Sequence, residues 1–163
     1  MKKWPALFLV FLTVAACRDE AAGPFELSGR VFIFNPRLAT ATYVVTLRPV
    51  APIVDSTRAI AEFENPEGGE AIIVEQKIWP KAEKLALESP PVFCIAKDRA
   101  YRVAIRIENA TGDVLQRIDT TVLSTLDQSI LPDKPLVVGP AYQPNPDLDN
   151  GAGDVARACP PRS

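Results

Sequence analysis

The sequence predicts an all-β protein, an antiparallel two-layer β-sandwich, and three observations carry that prediction. Several short segments alternate apolar and polar residues with a period of two, the spacing of a strand with one face buried. Sixteen prolines and eight glycines punctuate the 163 residues, and proline suits strand ends and turns rather than helix interiors. Tyr101 to Val122 reads as a complete hairpin, two alternating arms around a turn.

The first strand is expected over Phe25–Phe34, with Leu27, Val31 and Ile33 on one face and Phe32 and Phe34 on the other; it stops at Asn35-Pro36. Because both faces of its second half are apolar, this strand is either central and covered twice or it exposes a partner surface. Thr42–Arg48 follows, with Tyr43, Val45 and Leu47 on one face and Pro49 as its stop. In Arg58–Glu64, Ile60 and Phe63 share a face only through a bulge. After the turn Pro66–Gly69, the stretch Glu70–Trp79 sets Ile72, Val74, Gln76 and Ile78 together. Lys81–Glu88 has helical composition behind Pro80, but Leu85 and Leu87 alternate; a short strand or a single helical turn is expected.

The hairpin places Tyr101, Val103, Ile105 and Ile107 inward and Arg102, Arg106 and Glu108 outward, with turn chemistry in Asn109–Asp113 and a return over Val114–Val122. Its Tyr-x-Val-x-Ile pattern before an Asn/Gly turn resembles the last two strands of fibronectin type III and related immunoglobulin-like domains, which implies an immunoglobulin-like sandwich. About forty residues follow Val122, including the apolar run Leu136–Val138. A plain seven-stranded domain does not need them.

The N-terminus carries a different signal. Met1-Lys2-Lys3 is basic, and Trp4–Ala16 is an uncharged run of thirteen residues. As a helix it spans about 20 Å, short of a hydrocarbon core of about 30 Å, so it reads as a secretory signal. Val14-Ala15-Ala16-Cys17 resembles the lipobox of bacterial lipoproteins. The resemblance implies a diacylglyceryl group on the Cys17 thiol and cleavage just before it. It divides the chain into a signal peptide (1–16), a lipidated Cys and tether (17–24), a β-sandwich domain (25–141) and a polar Pro/Gly/Asp-rich tail (142–163). In enteric lipoproteins an Asp after the lipidated Cys marks inner-membrane retention. Arg18 stands there instead, which leans the expected location towards the outer membrane of the cell envelope, on its periplasmic or surface side.

With Cys17 assigned to lipid, Cys94 and Cys159 remain, and export to an oxidising compartment predicts a disulfide between them. Closing that loop stabilises the fold by at most about 4 kcal/mol in the chain-entropy model.

The composition also excludes chemistry. There is no His, so conventional Ser or Cys triads, imidazole shuttles and His metal ligands are out. The formal charge is −2, and removing Lys2 and Lys3 leaves 16 basic against 20 acidic residues, or −4; neither value suits a nucleic-acid binder. Glu62 and Glu64 lie two apart on one strand face, and read as solvent-facing rather than catalytic. Asp147, Asp149 and Asp154 cluster in a Gly-rich stretch that could hold Ca²⁺, but the spacing fails the EF-hand pattern. Trp79, before Pro80, either closes the end of the sandwich half-buried or is an exposed anchor; with Phe32 and Phe34 it makes the candidate partner surface. The expectation is a lipid-anchored, non-catalytic binding or structural module with no cofactor, meeting a protein or glycan partner. A calcium- or carbohydrate-binding accessory lipoprotein is the alternative.

Overall fold

The computed structural model describes residues 23–148 and Cys159. The expected signal peptide, Cys17 and the tether up to residue 22 lie outside those residues. Among the described residues nine strands run in chain order: β1 (Phe25–Asn35), β2 (Thr40–Pro49), β3 (Arg58–Phe63), β4 (Ile72–Lys77), β5 (Leu85–Glu88), β6 (Ala100–Glu108), β7 (Val114–Leu123), β8 (Val137–Val138) and β9 (Gln143–Pro144). The first seven form two antiparallel sheets, β1-β2-β5 and β4-β3-β6-β7, and β8-β9 is a separate small hairpin. A single apolar cluster takes side chains from both large sheets, an arrangement consistent with a two-layer sandwich.

The period-two readings place the core. Tyr43, Val45 and Leu47 on β2 and Tyr101, Val103, Ile105 and Ile107 on β6 are all buried. Leu85 and Leu87 point inward from a real strand, β5, rather than from a helical turn. At the centre, Tyr43 meets Phe32, Phe63 and Tyr101 edge-on, with ring centroids 4.3, 5.5 and 5.8 Å away. Such pairs add about 0.5–1.5 kcal/mol each beyond the area they bury. Both tyrosine hydroxyls are satisfied: Tyr43 Oη donates to the Glu64 carbonyl at 2.9 Å, and Tyr101 Oη accepts from the Ala96 amide at 2.7 Å. Burial pushes the Tyr43 hydroxyl pKa far above its ordinary value.

Two strands depart from the sequence reading. In β1 the register with β2 shifts between Leu27 and Gly29, so Ser28 is an extra residue. The alternation changes phase there: Phe25 and Leu27 sit opposite Pro49 and Leu47, whereas after the bulge Arg30, Phe32 and Phe34 sit opposite Val45, Tyr43 and Ala41. Phe32 is therefore a core residue, and Val31 and Ile33 are half exposed on the outer face. β1 is also an edge strand rather than a central one. In β3 no bulge exists; Ala59, Ala61 and Phe63 alternate inward and Ile60 points outward. Small inward alanines let Phe63 and the tyrosines fill the space between the sheets.

The β1–β7 side is stitched by a buried side chain. Gln116 accepts from the Phe25 amide at 3.0 Å and donates to the Phe25 carbonyl at 2.7 Å. The chain passes so close here that a Cβ on Gly23 would come within 2.2 Å of the Gln116 side chain, so the residue must be glycine unless Gln116 moves.

Register defines two ends. At the near end lie the start of β1, the β2–β3 loop, the β4–β5 loop and the β6–β7 turn, since Phe25 faces Pro49, Leu47 faces Leu85, and Arg58 faces both Lys77 and Glu108. At the far end lie the β1–β2, β3–β4 and β5–β6 connections. The described residues beyond β7, 124–148, account for much of the surplus that a seven-stranded domain does not need: they run across the far end. Asp98 and Gln128 amides bond to Ser124 and Ile95 carbonyls at 2.8 Å, Leu136 N donates to Arg37 O at 2.9 Å, and Leu131 enters the core. Asn145, buried in the β8–β9 hairpin, donates to the Pro135 carbonyl. The disulfide Cys94–Cys159 joins the β5–β6 connection to the C-terminal segment, with Cα atoms 5.3 Å apart. Cys94 holds a left-handed φ of 64°, a conformation that costs a non-glycine residue about 1–2 kcal/mol.

Candidate functional site

The outer face of the four-stranded sheet carries Arg102 and Arg106, as the hairpin pattern expects. Glu108, also expected outward, is instead buried at the end of β6, where the register with β7 shifts. Arg58, at the start of β3, donates to Glu108 at 2.9 Å and to Glu75 at 3.1 Å, across both neighbouring strands. Arg106 bonds Glu62 at 2.6 Å and lies 3.5 Å from Glu108. Glu64 meets Arg99 at 2.9 Å and Arg102 at 3.5 Å. The hydrogen bond to Glu108, followed by the charge of Glu75, raises the Arg58 pKa further above its ordinary value. Glu62 and Glu64 are thus members of a cross-strand ion ladder, each facing a guanidinium. An open groove of about 1010 Å³ borders this ladder, lined by Arg30, Glu62, Glu64, Arg99, Arg102 and Asp119 among others. Arg30 reaches it because the β1 bulge turns it inward, where its guanidinium donates to Thr120 on β7.

The near end has the opposite character. The β2–β3 and β4–β5 loops face one another across a shallower groove of about 550 Å³ lined by Pro49, Val50, Pro52, Ile53, Pro80 and Ala82. Prolines stiffen both loops, and the Ala82 amide closes a turn on the Trp79 carbonyl at 2.9 Å. Trp79 is 64 % exposed, Val54 68 % and Val50 52 %. Lys77 Nζ stands 4.4 Å from the centre of the Trp79 ring, a cation–π contact.

The three residues of the expected partner surface separate. Phe32 is buried among Tyr43 and Tyr101, and Phe34 is only partly buried, packed against the core. Trp79 alone is exposed, and it does not close the sandwich end as a half-buried residue. The phase change in β1 is the cause, and the exposed apolar residues on that strand are Val31 and Ile33 instead. Val31 pairs with Val44, and Ile33 with Thr42, on the outer face of the three-stranded sheet. Val50 and Val54 did not stand out in the sequence; the signal available was apolar residues held in a loop between Pro49 and Asp55. Of the calcium candidates, Asp147 is exposed in a 3₁₀ turn at Pro146–Leu148, while Asp149 and Asp154 lie outside the described residues. Among the described residues no three His, Cys, Asp or Glu side chains converge as a metal site, and no helix is long and apolar enough to cross a membrane. No protein-family model matches the chain, and no curated protein matches it either.

Proposed function

We propose that this chain is a bacterial lipoprotein: a non-catalytic, immunoglobulin-like β-sandwich tethered through a lipidated Cys17 and serving as a binding or structural module of the cell envelope. The observation that carries the reading is the N-terminal order of basic pair, thirteen-residue apolar run and Val14-Ala15-Ala16-Cys17. Two or three acyl chains, at about 0.8 kcal/mol per buried methylene, make such an anchor effectively permanent.

The fold supports the immunoglobulin-like part of the reading in three ways. Seven strands divide three and four between two antiparallel sheets. The chain changes sheet between β2 and β3, between β4 and β5 and again between β5 and β6, as Greek-key connections do. Tyr101 is the second residue of β6 and its hydroxyl accepts from the Ala96 amide, the arrangement of a tyrosine corner. The Cys94–Cys159 disulfide agrees with export to an oxidising compartment. The non-catalytic part rests on the missing His and on the pairing of Glu62 and Glu64 with arginines.

The test is fractionation of Cys17→Ser beside the unaltered chain in a bacterial host. The unaltered protein is expected in the membrane fraction with its leader removed, and the variant unprocessed or released. A variant that is lipid-labelled and fractionates unchanged contradicts the reading.

A further inference from the structure

The proposed anchor makes the orientation of the sheets consequential. Cys17 stands six residues before Gly23, so the chain between them reaches about 20 Å at full extension. Pro24 is already fixed at the near end, where its carbonyl accepts from the Val50 amide at 2.9 Å. The end of the molecule that carries Trp79, Val50 and Val54 is therefore the end held against any bilayer that Cys17 enters.

We propose that this near end is a membrane-docking surface, with Trp79, Val50 and Val54 seated at the headgroup level of the bilayer that Cys17 enters. The inference rests on the lipid-anchored reading and adds which face of the protein meets the lipid. The chemistry fits that occupant. Tryptophan, with an apolar body and a polar N–H, favours the boundary between headgroups and acyl chains. Lys77, stacked on the Trp79 ring, places an ammonium beside the indole where a lipid phosphate would lie. Lys81 and Lys84 are exposed on the same loop, against Asp55 and Glu83, so these five side chains sum to +1. Arg48 is engaged by Glu26, and Arg58 by Glu75 and Glu108. Arg58 with its two glutamates leaves −1 and Asp113 in the β6–β7 turn adds −1, so the end as a whole carries −1 and the apolar side chains supply the attraction. The prolines at 49, 52 and 80 hold the two loops in place, which lowers the ordering cost of docking.

Cleavage before Cys17 removes Trp4 and leaves Trp79 as the only tryptophan, so intrinsic fluorescence reads this surface alone. The mature lipidated protein, reconstituted in vesicles of phosphatidylethanolamine and phosphatidylglycerol with brominated acyl chains, is expected to show blue-shifted emission quenched by about two-fold or more. The double variant Val50→Asp/Val54→Asp alters exposed side chains only and keeps the anchor; its quenching should fall by about half or more. Solvent-like, unquenched emission from protein whose acylation is verified by mass overturns the docking surface while leaving the lipoprotein reading intact. Quenching that is unchanged in the double variant assigns the effect to the tether and overturns it as well. A blue shift that needs no lipid and grows with protein concentration places a second copy there instead. If Cys17 proves unacylated, the lipoprotein reading fails by itself. Added vesicles then decide the surface: quenching retains it, and unchanged emission removes it.

Discussion

The two ends of the sheets are finished in opposite ways. At the far end the residues after β7 cross the open edge of the core, insert Leu131, bond to the β1–β2 and β5–β6 connections and meet a disulfide. At the near end no such cover exists among the described residues, and Trp79, Val50 and Val54 stand in the open on proline-stiffened loops. The contrast teaches where stability and function separate. At the far end Leu131 is spent on the core, although Leu126, Ile130, Leu136 and Tyr142 of the same cover stay exposed. At the near end Phe25 and Ile78 are buried, whereas Trp79, Val50 and Val54 stand outside the core, free to meet something else. Stability measurements on paired substitutions sharpen or break that division.

The largest effect is expected from the disulfide. Cys94→Ser opens a loop of 65 residues, which lowers stability by up to about 4 kcal/mol in the chain-entropy model. Thermal melting of oxidised wild type against the variant reads the difference, and reduction of the wild type should reproduce it. Leu131→Ala, which empties a core position under the C-terminal segment, is expected to cost about 2 kcal/mol, the low side of the range for buried leucines because its site borders solvent. Tyr101→Phe leaves the Ala96 amide without its acceptor and should cost about 1–2 kcal/mol by urea titration. At the near end, Trp79→Ala and Val54→Ser are expected to change stability by no more than about 0.5 kcal/mol. A Trp79→Ala variant that loses several degrees of melting temperature would break the division between the ends.

The smallest expected effect lies in the β6–β7 turn, also at the near end. Hydrogen bonds from Thr111 and then Asn109 hold the Asp113 carboxyl below the usual carboxylate range. A depressed folded-state pKa means that stabilisation is complete above the unfolded value and disappears as pH falls through the folded one. Asp113→Asn should therefore be slightly less stable than wild type at pH 7, and the gap should close below about pH 4. A gap that persists in acid contradicts the assignment.

The fold was legible where large apolar residues alternate without interruption. Tyr43-Val45-Leu47 and Tyr101-Val103-Ile105-Ile107 each identify the inner face of a strand, and these seven residues make a third of the buried cluster. Legibility failed where the pattern depends on a backbone irregularity or on small side chains. The extra residue Ser28 reverses the meaning of every later position in β1, and the one sign of it is Gly29, a lone glycine inside a strand pattern. In β3 the inward residues are Ala59 and Ala61, so the larger Ile60 misleads. The cover over the far end was visible only as a surplus of residues and a cysteine pair, because its hydrogen bonds to the β1–β2 and β5–β6 connections run from backbone to backbone. For the candidate site, the exposed Trp79 was one of two sequence readings, and its company of Val50, Val54 and Lys77 emerges only when the two loops are brought side by side.

The proposed lipoprotein requires a thioether at Cys17, and intact-mass spectrometry of protein extracted from the membrane fraction decides whether it is there. The expected species begins at Cys17, lacks Met1–Ala16, and is heavier than the bare chain by a diacylglyceryl group, with or without a further acyl chain on its amine. A species with a free Cys17 thiol, or one that still carries the leader, contradicts it.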